Sequence, residues 1–206
     1  MKYIIMCGGD YGYINGEPRQ LMRIQGEPNI QRTVRLLREN GVGDIAITSN
    51  NPLFEKYGKV LRHKNTFGSG GHWLDGFYPI TEPTCFIFGD VVFSKSAISE
   101  IVRTQTDSVE FFASSPPFSP HYIKSWAEPF AFKVKDVGLF QVSKSMVYAG
   151  IEAGIWKREP IAWELWQTIK NTPQNEIDYT NYHAINDYTC DIDNEEEYRR
   201  ICEVIE

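Results

Sequence analysis

The sequence predicts a single α/β domain, and three stretches carry that expectation. Residues 2–7 (KYIIMC) are short, apolar and ended by Gly8-Gly9, the pattern of a buried strand delivered into a loop. From Ile30 to Asn40, Ile30, Val34 and Leu37 share one helical face, and DIAIT (Asp44–Thr48) follows as a second strand. TCFIFGDVVFS, from Thr84 to Ser94, is the most apolar run in the chain, broken only by Gly89-Asp90.

The remaining elements follow in order. Arg32, Arg35 and Arg38 fall away from the apolar face of the first helix, and Gly41 supplies its C-terminal cap. Strand, helix and strand of these lengths predict a right-handed parallel crossover. LRHKNTFGSGGHWLDGFYPI opens as a loop containing Gly68, Gly70 and Gly71 and continues as a helix from about His72. A helix follows the central apolar run at about Lys95–Arg103. Two strand-like pieces then flank the Pro- and aromatic-rich SSPPFSPHYIKSWAEPFAF. A helix over 160–170 starts at Pro160, a favoured first-turn residue. The tail gives a short acidic strand and a last helix, with Asn194 as N-cap and Glu195, Glu196 and Glu197 in its first turn. No repeat, low-complexity tract or linker is evident, so residues 1–206 read as one domain.

Composition narrows the function classes. With 206 residues, 42% of them hydrophobic, the chain can bury one sizeable core, or one core and a small lobe. A net charge of −6 argues against nucleic acid or an acidic membrane as the main partner, while a local basic pocket for a small anion stays open. Cys7, Cys85, Cys190 and Cys202 lack CxxC spacing, so reduced, partly buried thiols are expected rather than a disulfide frame or a zinc site. The N-terminus enters a strand without a basic-then-apolar leader, and no stretch reaches membrane-spanning length, which points to a cytoplasmic protein.

Ligands of open α/β sheets bind beyond the carboxyl ends of the strands, and three features of the sequence belong there. In CGGDYGYINGEPR, glycines at a strand end let backbone N–H groups approach a phosphate, and Arg19 adds a charge-assisted fork. The same glycines also suit an ordinary strand-to-loop turn. Asp90 ends an apolar strand, where a carboxylate is costly unless paired or metal-bound; a helix cap or an ion pair is the alternative. In DID, alternation puts Asp191 and Asp193 on one side with Ile192 facing the core, although a solvated turn before an acidic helix fits as well. Three such oxygen donors suit Mg²⁺, which takes few protein carboxylates.

In this order, IMCGG, PRQLMRIQGEPNIQRTVRLLRENGVGDIAI, FIFGDVVF and DIDNEEEY resemble the nucleotidyltransferases that join an NTP to a phosphorylated small molecule. These are the sugar-phosphate nucleotidyltransferases and the phosphocholine-type cytidylyltransferases. The resemblance covers Lys2 to about Phe93 and the last twenty residues. It implies a Rossmann-like, three-layer fold with a mixed, mostly parallel sheet, and an acceptor-binding insert at about 105–180. It further implies that Cys7, Gly8, Gly9, Asp10, Tyr11 and Gly12 hold base and phosphates, and that Gly68, Ser69, Gly70 and Gly71 touch base and ribose. Arg19 would contact the triphosphate and, with Asp90, serve catalysis, and Asp90, Asp191 and Asp193 would hold Mg²⁺. Two departures mark a divergent member. Asp10, Tyr11 and Tyr13 occupy the region where the family loop carries a cation, and Arg19 stands where lysine is usual.

The implied reaction is Mg²⁺-dependent transfer of a nucleotidyl group from an NTP, with CTP as the expected donor, and release of pyrophosphate. A role in making surface-polysaccharide precursors is the associated expectation. Tyr122, Lys124, Trp126, Glu128 and Lys133 are the candidate acceptor-binding residues, since aromatics with a carboxylate hold an ammonium group and lysines hold phosphate. An aromatic lid packed on the core is the alternative. The four histidines are scattered and read as structural or solvent-facing. A homodimer is compatible with the sequence. Two other classes compete: a non-catalytic nucleotide-binding or regulatory domain of the same fold, and a GT-A-like glycosyltransferase, which the single Asp of GDVVFS disfavours.

Overall fold

In the computed structural model of the chain, which describes residues 1–8, 12–62, 72–114, 126–172 and 179–205, strand β1 (Lys2–Met6) lies where the apolar run predicts it. Two hairpins follow: β2 (Tyr13–Ile14) with β3 (Glu17–Pro18), then β4 (Arg23–Ile24) with β5 (Glu27–Pro28). They turn through Asn15-Gly16 and Gln25-Gly26, at φ of 52° and 81° and of 51° and 83°. Positive φ at both central residues is the signature of a type I′ turn. Ile-Asn-Gly-Glu-Pro at Ile14–Pro18 and Ile-Gln-Gly-Glu-Pro at Ile24–Pro28 therefore form a ten-residue repeat. The expectation of no repeats is corrected here.

Helix α1 (Asn29–Glu39) ends with Gly41 at φ 82°. Arg32, expected on its solvent face, is buried instead, with its guanidinium donating to the Phe93 carbonyl. Strands β6 (Ile45–Thr48), β7 (Lys59–Leu61), β8 (Thr84–Phe88) and β9 (Val91–Val92) come next. The helix expected from His72 is only a 3₁₀ turn at Trp73–Gly76, closed by Asp75 accepting the His72 N–H at 2.9 Å. Helix α2 (Lys95–Arg103) is capped by Ser94, whose Oγ accepts the Ala97 N–H at 2.9 Å.

Strands β10 (Val109–Ser114) and β11 (Pro129–Val134) lead into helix α3 (Val137–Glu152), the longest described helix, for which the sequence carried no expectation. Helix α4 (Ala162–Lys170) starts two residues after Pro160, where Glu164 accepts the Ile161 N–H at 3.0 Å. Strands β12 (His183–Ile185) and β13 (Cys190–Asp191) precede helix α5 (Glu195–Val204). Asn194 caps α5 as expected, accepting the Glu197 N–H at 3.0 Å.

The main sheet runs β12-β10-β11-β8-β1-β6-β7, and every pairing is parallel except the two made by β11. The carboxyl ends of the other strands and the amino end of β11 therefore share one edge. One face carries α3 and α4 through an aromatic core: Phe86 stacks on Phe140 at 5.7 Å, Phe111 on Phe132 at 4.4 Å, and Trp163 meets Phe111 edge-on at 4.8 Å. Helices α1 and α2 pack together across the sheet. The described residues between 105 and 180 thus supply two inner strands of this sheet and the helices on one of its faces.

A second, smaller core joins Ile14, Met22 and Ile24 of the hairpins to Val92, Cys190, Ile192, Ile201 and Ile205. It ties the two ends of the chain together. All four cysteines are free thiols, three of them buried. Among the described residues no helix is long and apolar enough to cross a membrane.

Candidate active site

The short antiparallel ribbon of β9 and β13 builds the site. Its register sets Asp191 opposite Val91, and the Ile192 N–H donates to the Asp90 carbonyl at 3.3 Å. GD and DID, a hundred residues apart in sequence, thereby become neighbours. Ile192 turns into the second core, as alternation predicts, and Asp191 and Asp193 share the other side. The turn before Asp90 is held tightly. Gly89 donates its N–H to the Met6 carbonyl at 3.0 Å, and a Cβ on Gly89 would lie 2.5 Å from Met6 O and 2.6 Å from Cys7 Sγ. Asn29, fully buried at the start of α1, donates to the Val91 carbonyl at 3.0 Å and to Gly89 O at 3.4 Å. Cys7 is a buried neighbour of this turn, its thiol pushed well up by burial and then by the Asp90 charge.

Arg19 reaches the same place from the first hairpin. Its N–H donates to Gly12 O at 2.8 Å, and Gly12, at φ 96°, leaves the space in which the Arg19 side chain lies. The guanidinium then bridges two carboxylates. Nη2 stands 3.3 Å from Asp90 Oδ2, and Nη1 pairs with Asp193 Oδ1 while donating to the Ile192 carbonyl at 2.8 Å. Burial pulls its pKa down, but Asp90 and then Asp193 outweigh burial and hold it above the ordinary arginine value.

Glu128 is the member that the sequence reading put elsewhere. It sits at the amino end of β11, anchored by paired bonds of 2.9 Å to Ser114: its own N–H to Ser114 Oγ, and the Ser114 N–H to its carbonyl. Because β11 runs against its neighbours, that amino end lies on the edge where the other strands end. Carboxylate oxygens of Glu128, Asp191 and Asp193 lie within 4.8 Å of one another. Three converging carboxylates, two of them buried, are a donor set that fits a hard divalent cation. Asp90 joins this group through Arg19. Trp126, half-exposed, donates its indole N–H to Glu128.

Lys133 requires a correction. Its ammonium donates to the carbonyls of Ile101 at 2.9 Å, Val102 at 2.8 Å and Thr104 at 2.6 Å, so all three donors cap the end of α2. Lys133 is buried, and burial lowers its pKa, partly offset by Cys85. It has no donor left for an acceptor phosphate. Cys7 and Gly8 lie at the end of β1, as expected. Gly9, Asp10, Tyr11, Gly68, Ser69, Gly70, Gly71, Tyr122 and Lys124 lie outside the described residues. Trp73 stacks on Phe88, the last residue of β8, at 5.5 Å.

Neither a family model nor a curated protein matches the sequence. Solved structures match over nearly the whole chain. HddC from Yersinia pseudotuberculosis is 15% identical, with 98% of this chain and 99% of that one aligned at a TM-score of 0.55. The CTP:phosphocholine cytidylyltransferase LicC from Streptococcus pneumoniae is 16% identical over 98% and 97%, at 0.58. The inositol-1-phosphate CTP transferase from T. maritima is 15% identical over 97% and 94%, at 0.57. At this identity the likeness shows the fold: the chain has the Rossmann-like nucleotidyltransferase fold, with a mixed, mostly parallel sheet.

Proposed function

We propose that the chain is a divergent nucleotidyltransferase that moves a nucleotidyl group, preferably cytidylyl, from an NTP to a phosphorylated small molecule. The observation carrying this reading is the convergence of Arg19, Asp90, Asp191, Asp193 and Glu128 at the carboxyl edge of a sheet of this fold. A phosphate oxygen of the acceptor attacks the α-phosphorus in line, the bond to the bridging oxygen breaks, and pyrophosphate leaves. Positioning and charge stabilisation suffice, without a covalent enzyme intermediate. Asp90, Asp191, Asp193 and Glu128 would hold Mg²⁺, which when bound neutralises charge on the polyphosphate. Arg19, beside Gly12, contributes a cation to the leaving phosphates.

The acceptor side rests on Trp126 and Glu128. A half-exposed indole beside a carboxylate is a pair suited to an ammonium headgroup. LicC is described as acting on phosphocholine, and a phosphorylated amino alcohol is the acceptor class that such a pair favours here. A product of that kind would supply surface-polysaccharide decoration. The test is release of pyrophosphate from each of the four NTPs with Mg²⁺ and a panel of phosphocholine, inositol phosphate and sugar 1-phosphates. Acceptor-dependent release is expected with CTP. Binding of nucleotide with no release under any acceptor would favour the non-catalytic reading.

A further inference from the structure

We propose that Arg19 is a built-in competitor for the divalent cation: without nucleotide, its guanidinium occupies carboxylates that the metal needs, and polyphosphate unlocks them by drawing Arg19 away. The inference rests on the metal-site part of the reading above. Arg19 spans Asp90 and Asp193 at once, and takes the Ile192 carbonyl between them. A guanidinium is never neutral in a protein, so it cannot yield by losing a proton; held on one oxygen each of Asp90 and Asp193, it takes donor sites from a dication and repels it. The two cations therefore compete.

Two features indicate that Arg19 is the one that moves. Its Nε is buried and finds no acceptor among the described residues, so the bridged state leaves one donor unsatisfied. A permanent structural ion pair is expected to satisfy that donor. The side chain also lies against Gly12, so the guanidinium stands between Gly12 and the carboxylates. Phosphate oxygens bound beside Gly12 would accept the orphaned Nε together with an Nη. Reciprocity follows from linkage: whatever polyphosphate does to metal affinity, metal does equally to polyphosphate affinity. Arginine suits this role better than lysine, because only a fork bridges both carboxylates.

Mn²⁺ alone, titrated calorimetrically into the 206-residue chain without nucleotide, tests the proposal. Arg19→Gln, shown folded by thermal unfolding, is expected to bind Mn²⁺ at least ~10-fold tighter than wild type, a gain of about 1.4 kcal/mol. Arg19→Gln combined with Asp193→Asn should lose that gain, which locates it at these carboxylates. Equal or weaker Mn²⁺ binding by folded Arg19→Gln overturns the proposal. Should that variant not fold, Arg19→Lys, a point charge reaching one carboxylate, is expected at an intermediate affinity, and a wild-type value overturns the idea equally. Turnover enters none of these readings. A metal gain in a protein that transfers nothing would retire the proposed activity alone, and transfer without a gain would retire only the competition.

Discussion

At Gly89 the backbone of one strand turn touches the end of another, and glycine is required by contact rather than by dihedral angle. A Cβ would stand 2.5 Å from Met6 O, which belongs to a strand and cannot swing aside. Gly89→Ala is therefore expected to cost about 1–3 kcal/mol in denaturant unfolding, the range for forcing atoms into a packed core. Its neighbour Asp90 carries a different expectation. Asp90→Asn should keep the fold and lose transfer by at least ~100-fold, the scale for removing one strong electrostatic stabiliser; wild-type turnover in the folded variant would remove Asp90 from the chemistry. Asp90 was legible in the sequence because a carboxylate at the end of an apolar strand conflicts with burial, and Asp191 and Asp193 because alternation in DID sets both on one side. Glu128 was legible only as one charge in an aromatic segment. Its place in the acidic group depends on β11 running backwards, which no local pattern announces.

Continuously apolar strands and helices with one dry and one wet face were legible, and most other elements were not. Helix α1 shows its apolar face in the spacing of Ile30, Val34 and Leu37, and α5 shows its cap in Asn194. Helix α3 has apolar residues all round: Phe140 and Val147 face inward, while Val142 and Met146 are exposed. No periodic contrast marks it. The two hairpins were hidden by their two-residue strands, although Asn-Gly and Gln-Gly before Glu-Pro repeat openly. Lys133 was misread for an allied reason, since alternation gives its face of the strand but not what covers that face. Here the end of α2 covers it. Lys133→Met is expected to destabilise by about 1–3 kcal/mol, because carbonyls at Ile101, Val102 and Thr104 lose their donor. The KM for the acceptor should stay unchanged, and a raised KM with unaltered stability would restore Lys133 to acceptor binding.

Across the whole molecule, the site is made by bringing the chain's ends together. Arg19 meets residues 173 and 174 positions away, and the second core of hairpins, ribbon and α5 holds that meeting in place. The order of motifs along the sequence carried this arrangement, since each motif alone is weak. The choice of base depends on the same edge. Trp73 is stacked there on Phe88 and edge-on to Phe77 at 5.6 Å, and in the proposed reading it would wall the base site against a larger ring. Tyr13, 53% exposed at the start of the first hairpin, offers a stacking face near the glycine loop that lacks the usual cation. A pyrimidine fits such a space better than a purine. Cytosine over uracil would further require acceptors facing its exocyclic amino group, a role open to backbone carbonyls. Thermal shifts with the four NTPs and Mg²⁺ measure the order directly, because a ligand at ~100 times its dissociation constant adds about 2.7 kcal/mol to the folded state. CTP is expected to give the largest shift, with UTP next. A larger shift with ATP or GTP would overturn the pyrimidine preference, whereas a larger shift with UTP would mean that N–H donors, not carbonyls, face the base.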